Sequence, residues 1–179
     1  EADQSNPHWV SQTDGFPSLS INAVVFDPGD PTGNTLFAGT GSTSSLAGQG
    51  GGGVGLMRTT NGGDRWELIA KPYFTGKRIS SIVALKAPNG RALLVATDDY
   101  SLGSNPVFVD NPDEGGVFLS TNATGPGTPI FCNVSRINGF SPYCDVSRHS
   151  PGGVTRPLPA GTVTDLVAGP GDPHRVYAA

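Results

Sequence analysis

Acidic side chains concentrate between positions 98 and 114, where no basic residue occurs, and this makes the segment the first candidate for chemistry. It holds five carboxylates and a phenol: Asp98, Asp99, Asp110, Asp113, Glu114 and Tyr100. Carboxylates suit a hard cation such as Ca²⁺, which takes about six to eight oxygen ligands. The spacing is not that of an EF-hand loop, and acidic loops are commonly just solvated. We therefore predict a binding surface without a cofactor or metal. Calcium held by Asp98, Asp99, Asp110 and Asp113 is the alternative.

Patterns typical of nucleophilic catalysis or zinc binding are missing from the sequence. The three histidines lie in separate segments, and neither Gly-x-Ser-x-Gly nor His-Glu-x-x-His occurs. The run GQGGGG at 48–53 has the spacing of a dinucleotide-binding loop, but a strand rather than a helix follows it. Without a helix N-terminus to hold a pyrophosphate, these glycines predict a flexible loop.

Cysteines and glycosylation patterns point to an oxidising compartment. Cys132 and Cys144 lie in a loop rich in Pro, Gly and Ser, and Asn122 and Asn133 each begin an Asn-x-Ser/Thr acceptor pattern. We expect a secreted glycoprotein with a Cys132–Cys144 disulfide. Free thiols and chance patterns are the alternative. The chain begins at Glu1 rather than Met, which fits a mature or excised product.

Charge and hydropathy exclude two classes of partner. The net charge is −4, and outside 98–114 the chain carries eleven basic residues against ten acidic ones. Without a basic stripe to neutralise phosphates, nucleic acid is not an expected partner. No apolar run approaches the roughly 20 residues of a membrane span.

Three segments of the chain repeat one pattern. Each has an alternating strand, a turn of Pro, Gly or Asp, and a second apolar strand, beginning at Ile21, Ile79 and Val163. Each of the first two pairs is followed by two further strands, so the repeating unit has four strands. Repeats of four short strands indicate blades of a β-propeller.

The predicted fold class is therefore all-β, a propeller segment with two full blades, a leading strand and half of a third blade. The predicted parts are an outer strand 7–12, blade one 20–70, blade two 79–134, an inserted loop 135–161, and the start of blade three 162–179. Since a ring needs about four to eight blades, the remaining blades belong to this chain or to another. We expect about six to eight in all. A small β-sandwich is the alternative fold.

The turn RTTNGGDRW at 58–66 resembles the Asp-box, or bacterial neuraminidase repeat, whose pattern is Ser/Thr-x-Asp/Asn-x-Gly-x-x-Trp. Thr59, Asn61, Gly63 and Trp66 fill its four positions. In blade two Ser120 and Asn122 match, Thr124 replaces the glycine, and Phe131 is a late aromatic residue. The resemblance implies a structural turn on the outer rim, away from any substrate.

Sialidases and xyloglucan-cleaving enzymes carry the same boxes, and the resemblance therefore raises glycoside hydrolysis. The sialidase Arg-Ile-Pro triplet is replaced here by Arg78-Ile79-Ser80, and Thr60 stands where the xyloglucanase-like group has a catalytic aspartate. Both departures disfavour an enzyme, and no catalytic residue is predicted.

The long connections predict where a ligand binds. Segments 41–52, 98–114 and 135–161 all leave the same end of antiparallel sheets, and insertions on one face of a repeat protein usually mark its binding face. We expect a platform for a glycan or protein ligand. The alternatives are part of a glycoside hydrolase with catalytic residues mostly elsewhere, and an assembly or adhesion subunit that uses open strand edges.

Overall fold

The chain folds almost entirely into β-structure, which confirms the predicted all-β class. The computed structural model describes residues 9–18, 20–42, 53–87, 90–98, 115–125, 127–135, 163–172 and 175–179. The elements in chain order are β1 Ile21–Phe26, β2 Leu36–Thr40, β3 Leu56–Thr59, β4 Glu67–Ile69, α1 Lys71–Phe74, β5 Ile79–Ala87, β6 Gly90–Thr97, β7 Gly116–Ser120, β8 Cys132–Asn133, β9 Leu166–Ala168 and β10 Val176–Ala178.

Among the described residues the strands form three antiparallel sheets in which neighbours in sequence are neighbours in space. Sheet one has the order β1-β2-β3-β4, sheet two has the order β5-β6-β7-β8, and hairpin three pairs β9 with β10. Each sheet is an antiparallel meander, in which β1 and β2 or β5 and β6 are joined by shorter connections than β2 and β3 or β6 and β7. A closed barrel is not formed by these strands.

The same pairing register recurs in sheets one and two. Ile21 pairs with Thr40 and Ile79 pairs with Thr97, and in both sheets the register shifts immediately after this pair. A bulge of this kind adds one residue to a strand and increases its twist. Because the irregularity sits at equivalent positions, the two sheets are copies of one unit, as the sequence repeat predicted.

Sheet one packs face to face on sheet two. The shared core contains Phe37, Leu56 and Ile69 from sheet one and Ile82, Val95 and Phe118 from sheet two. Gly39 permits the approach, since an added Cβ there would overlap the side chain of Ile79. Each fully buried large side chain contributes about 1.5–3 kcal/mol to folding, so this interface is a main source of stability.

The opposite face of sheet two packs on hairpin three through a second core. Val83, Ala96 and Val117 meet Val163 and Leu166 there. Sheet two thus carries buried apolar side chains on both of its faces. A sheet sandwiched between two others is the arrangement expected of stacked repeats.

Two local features lie outside the regular sheets. Within the all-β fold, residues 71–74 form a single helical turn, α1, which carries the buried Phe74 into the core. One turn is too short to produce a 3.6-residue period. In the predicted outer strand 7–12, the described residues 9–12 have no strand pairing, and the Trp9 side chain is 90% exposed.

Candidate functional site

The long connections leave the sheets at a common end, which we call the stem rim and define by Gly41, Gly55, Arg78, Asp98 and Ser135. The Asp98 amide donates to the Arg78 carbonyl (3.2 Å). A Cβ added to Gly41 would lie 2.9 Å from the Arg78 Cα. The segments that follow β2 and β6 therefore both start beside one residue, Arg78.

The third long connection also begins and ends at this rim. Ser135 follows β8, and its hydroxyl accepts a hydrogen bond from the Val117 amide at the start of β7 (2.8 Å). On the return, the Val163 carbonyl accepts a hydrogen bond from the Ser80 hydroxyl. All three connections thus have stems within one region of the molecule.

A threonine fixes the stem of the first connection. The Thr40 hydroxyl is fully buried, accepts from the amides of Val54 (2.8 Å) and Gly55 (2.9 Å), and donates to the Gly55 carbonyl (2.8 Å). Gly55 has φ 121°, a conformation that a residue with a Cβ rarely adopts. These hydrogen bonds hold the two ends of the first connection together at Thr40 and Gly55.

An ion pair fixes the stem of the second connection. The Arg78 Nε lies 3.1 Å from Asp98 Oδ1, and Nη2 lies 2.8 Å from Oδ2, so the contact is bidentate. The two side chains are only 9% and 7% exposed. The Arg78 guanidinium balances the charge of the Asp98 carboxylate and contacts both of its oxygens. This carboxylate is therefore poorly suited to bind Ca²⁺ or to transfer a proton to a ligand.

The other residues of the predicted binding surface lie outside the described residues: Asp99, Tyr100, Asp110, Asp113 and Glu114. Within the described ranges no group of three or more His, Cys, Asp or Glu side chains is arranged to hold a metal ion. The structure thus places one predicted residue, Asp98, at the base of the acidic segment and gives it a structural partner.

The turn between β3 and β4 lies at the end of sheet one opposite to the stem rim. The Thr59 hydroxyl accepts from the Gly63 amide (3.1 Å) and lies 2.8 Å from Asn61 Oδ1, which in turn accepts from the Arg65 amide (3.0 Å). Gly62 and Gly63 both have positive φ, and Trp66 is half-buried. Every polar group named here is used to hold the turn.

The corresponding turn of sheet two keeps this geometry despite its divergent sequence. Asn122 Oδ1 lies 3.0 Å from the Ser120 hydroxyl and accepts from the Ile130 amide (2.9 Å). Phe131, the late aromatic residue, is buried and packs edge-on against Phe74 with ring centroids 4.9 Å apart. The Ser-x-Asn pair thus preserves the turn, and Phe131 supplies the apolar anchor.

Arg58 links the two turns, a role that the sequence analysis did not assign. Its Nη1 donates to the carbonyls of Ala123 (2.9 Å) and Gly125 (2.8 Å), while Nη2 pairs with Glu67 (2.7 Å). An open groove of about 340 Å³ runs beside it between β4 and residues 127–129. The Arg58 guanidinium is already hydrogen-bonded to these three partners, and Lys71 also lines the groove.

A repeated hydrogen bond joins successive sheets at the stem rim, and this too was missed. The Asn22 side chain donates to the Ile79 carbonyl (3.0 Å), and the Ser80 hydroxyl donates to the Val163 carbonyl. Asn22 and Ser80 are the second residues of the aligned segments, so the repeat alignment held the signal. The same type of hydrogen bond, from a side chain to a backbone carbonyl, therefore joins sheet one to sheet two and sheet two to hairpin three.

The residues predicted to be modified are only partly described. Cys132 lies in β8, whereas Cys144 is outside the described residues, so the disulfide stays a prediction. Both acceptor asparagines take part in turns: Asn122 as above, and Asn133 by accepting from the Ser135 amide (3.0 Å). Glycosylation at either position stays a prediction as well.

Comparison with known proteins does not assign the chain to a family. It matches no protein-family profile, no curated protein and no solved structure. The described part of the chain contains no helix that is long and apolar enough to cross a membrane.

Proposed function

We propose that the chain is a secreted segment of an Asp-box β-propeller that binds a glycan or protein ligand through the stem rim and its long connections. The observation that carries this proposal is the gathering of three long connections at one end of the sheets. The opposite end is closed by short, internally hydrogen-bonded turns. Insertions on one face of a repeat protein usually form its ligand-binding surface.

The propeller part of the proposal is supported by the way the sheets follow one another. The first strands of successive sheets lie beside each other, joined by the Asn22–Ile79 and Ser80–Val163 hydrogen bonds. A constant relation between consecutive four-stranded units is what generates a ring of blades. The Thr59–Asn61 and Ser120–Asn122 turns, one per unit, support the Asp-box assignment.

Binding rather than catalysis is supported by the state of Asp98. This is the described residue of the predicted binding surface, and its carboxylate is paired with Arg78. A platform needs rigid stems and variable loops, and Thr40 and Arg78 provide such stems. A glycoside hydrolase would need two carboxyl groups that flank the glycosidic bond and are not held in ion pairs.

The direct test measures binding of the purified chain to a glycan array and to an array of secreted proteins. Tyr100→Ala and Asp110→Asn, both in the predicted binding segment, are expected to weaken any binding by at least about tenfold. Asp64→Asn, an exposed acid on the opposite turn, is the matched control and leaves binding unchanged. Equal loss in the Asp64 variant, or no ligand on either array, contradicts the proposal.

Secretion has its own test. Non-reducing peptide mapping of the protein made in an oxidising compartment is expected to recover a Cys132–Cys144 cross-linked peptide. Recovery of both thiols in alkylated form would remove the main support for an extracellular location.

A further inference from the structure

The two N-glycosylation patterns of the chain lie in different structural settings on sheet two. The pattern that begins at Asn122 lies in the turn between β7 and β8, at the end away from the stem rim. The pattern that begins at Asn133 starts inside β8 and ends at Ser135 in the stem rim. An N-glycan is a bulky group that belongs on surface loops. The surroundings of each asparagine amide therefore decide which of the two the folded chain can carry.

The Asn133 side chain is packed into the stem of the third connection. Its Oδ1 accepts from the Ser135 amide (3.0 Å), and its Nδ2 donates to the carbonyl of Gly115, which is buried (3.4 Å). The Ser135 hydroxyl is held by the Val117 amide, and the residue is 3% exposed. A Cβ added to Gly116 would lie 2.9 Å from that hydroxyl and 3.1 Å from Asn133 Oδ1. A sugar on Nδ2 would have to displace these contacts.

The Asn122 amide nitrogen faces open surface. Asn122 is exposed, and so is Thr128, whose carbonyl accepts from Nδ2 (3.4 Å). The contacts that hold the turn are made by Oδ1, which lies 3.0 Å from the Ser120 hydroxyl and accepts from the Ile130 amide (2.9 Å). A group attached to the nitrogen leaves both of them in place. A Cβ added to the neighbouring Gly127 would meet no atom within 4 Å, so there is room beside the turn.

We propose that the folded chain carries one N-glycan, on Asn122, and that Asn133 stays unmodified. In the transfer, Asn122 Nδ2 forms a bond to the anomeric carbon of an oligosaccharide. The pyrophosphate of its polyprenyl-lipid donor leaves, and Nδ2 loses one proton. The inference rests on the secretion included in the proposed function, because the chain meets such a donor only in the secretory pathway. It does not rest on ligand binding.

The choice between the two asparagines has a consequence for folding and one for ligand access. A sugar transferred to Asn133 before the chain folds would keep the third stem from closing, so those molecules would not reach the folded, secreted form. A sugar on Asn122 lies at the closed end of the sheets. The stem rim, where the ligand is proposed to bind, therefore stays uncovered.

The test maps both positions on the full chain, secreted from eukaryotic cells behind an added signal sequence. Peptide-N-glycosidase treatment in heavy-oxygen water converts each glycosylated asparagine into a labelled aspartate, which peptide mass spectrometry locates. We expect the label at Asn122 in most molecules and none at Asn133. Thr124→Ala destroys the acceptor pattern but keeps Asn122, and it is expected to lose the glycan. Thr128→Ala, which keeps its backbone carbonyl and the pattern, is the matched control and is expected to retain it.

Thermal melting verifies that both variants are folded. The inference is overturned if the secreted wild type carries the label at Asn133, if its Asn122 is unlabelled, or if Thr124→Ala keeps the glycan. Retention of all the wild type inside the cells would contradict the secretion on which both proposals rest.

Ligand binding separates this inference from the rest of the proposed function. Array binding is expected to be the same before and after enzymatic removal of the glycan, because the turn that carries Asn122 lies opposite to the stem rim. A secreted protein that binds a ligand but has an unmodified Asn122 contradicts this inference alone. A protein with a glycan on Asn122 that binds no ligand contradicts the proposed function alone.

Discussion

The Arg78–Asp98 pair allows the sharpest prediction about the stem rim. Removing one partner of a buried ion pair leaves an uncompensated charge and costs roughly 3–5 kcal/mol. Both side chains are less than a tenth exposed, and their contact is bidentate, so the full range applies. Asp98→Asn and Arg78→Met are each expected to destabilise the chain by that amount. For 179 residues, about 2–4 °C per kcal/mol gives a fall in Tm of roughly 6–20 °C.

Urea unfolding of Arg78→Met, of Asp98→Leu and of the double variant Arg78→Met/Asp98→Leu forms a double-mutant cycle. The double variant replaces two buried charges by apolar groups and is expected to cost less than either single change. The matched control is the exposed pair of Arg175 and Asp172, whose atoms lie 3.7 Å apart. Arg175→Met should cost less than about 1 kcal/mol.

The reasoning is refuted if either single variant at the buried pair loses less than about 1 kcal/mol, or if the cycle shows no coupling. Either result would mean that water or other groups solvate the charges at the stem rim. The acidic segment would then start from a mobile stem, and Asp98 would again be a candidate ligand residue.

Three further predictions concern the scaffold. Gly39→Ala is expected to lower the free energy of unfolding in urea by about 1–3 kcal/mol, because the added Cβ overlaps the side chain of Ile79 in sheet two. Gly15→Ala, whose Cβ meets open space, should be neutral, and equal effects of the two changes would contradict the packing described. Thr59→Val removes the hydroxyl that holds the β3–β4 turn and should lower the free energy of unfolding by about 1–2 kcal/mol. Amides next to the turn should then exchange hydrogen faster, and unchanged exchange would count against that role. Hydrogen bonds from Thr32, chiefly from its side chain, and from Thr35 hold the pKa of Asp30 well below its usual range. The resulting stability is present above the ordinary value of 3.8 and is lost as pH falls through the lowered pKa; Thr32→Val should raise that pKa in an NMR titration, and an ordinary value in the unmodified chain would refute the assignment.

The strand pattern and its repeat could be predicted from sequence because they are local. Alternating apolar residues around Ile21, Ile79 and Val163 specify strands, and Pro, Gly and Asp specify the turns between them. The Thr59–Asn61–Gly63 turn was predictable for the same reason, since its hydrogen bonds join residues at most four positions apart. The one-turn helix α1 was not predictable, because four residues carry no period.

The candidate site was less predictable than the fold. Asp98 looked like its acidic neighbours in sequence, yet it meets Arg78 across the end of β5, twenty positions away. Arg58 looked like part of a turn motif, but its partners Ala123 and Gly125 belong to the next sheet. Contacts between distant segments of the chain therefore decide whether a charged side chain is held in a structural contact or can bind a ligand.

By itself the sequence determined that this chain forms antiparallel strands in repeated units, with long connections at alternate turns, because strands and tight turns depend on neighbouring residues. Tertiary structure alone decided which charged side chains are paired and which apolar side chains are buried between sheets. Those outcomes depend on contacts between sheets that are far apart in the chain, and no local pattern encodes such contacts.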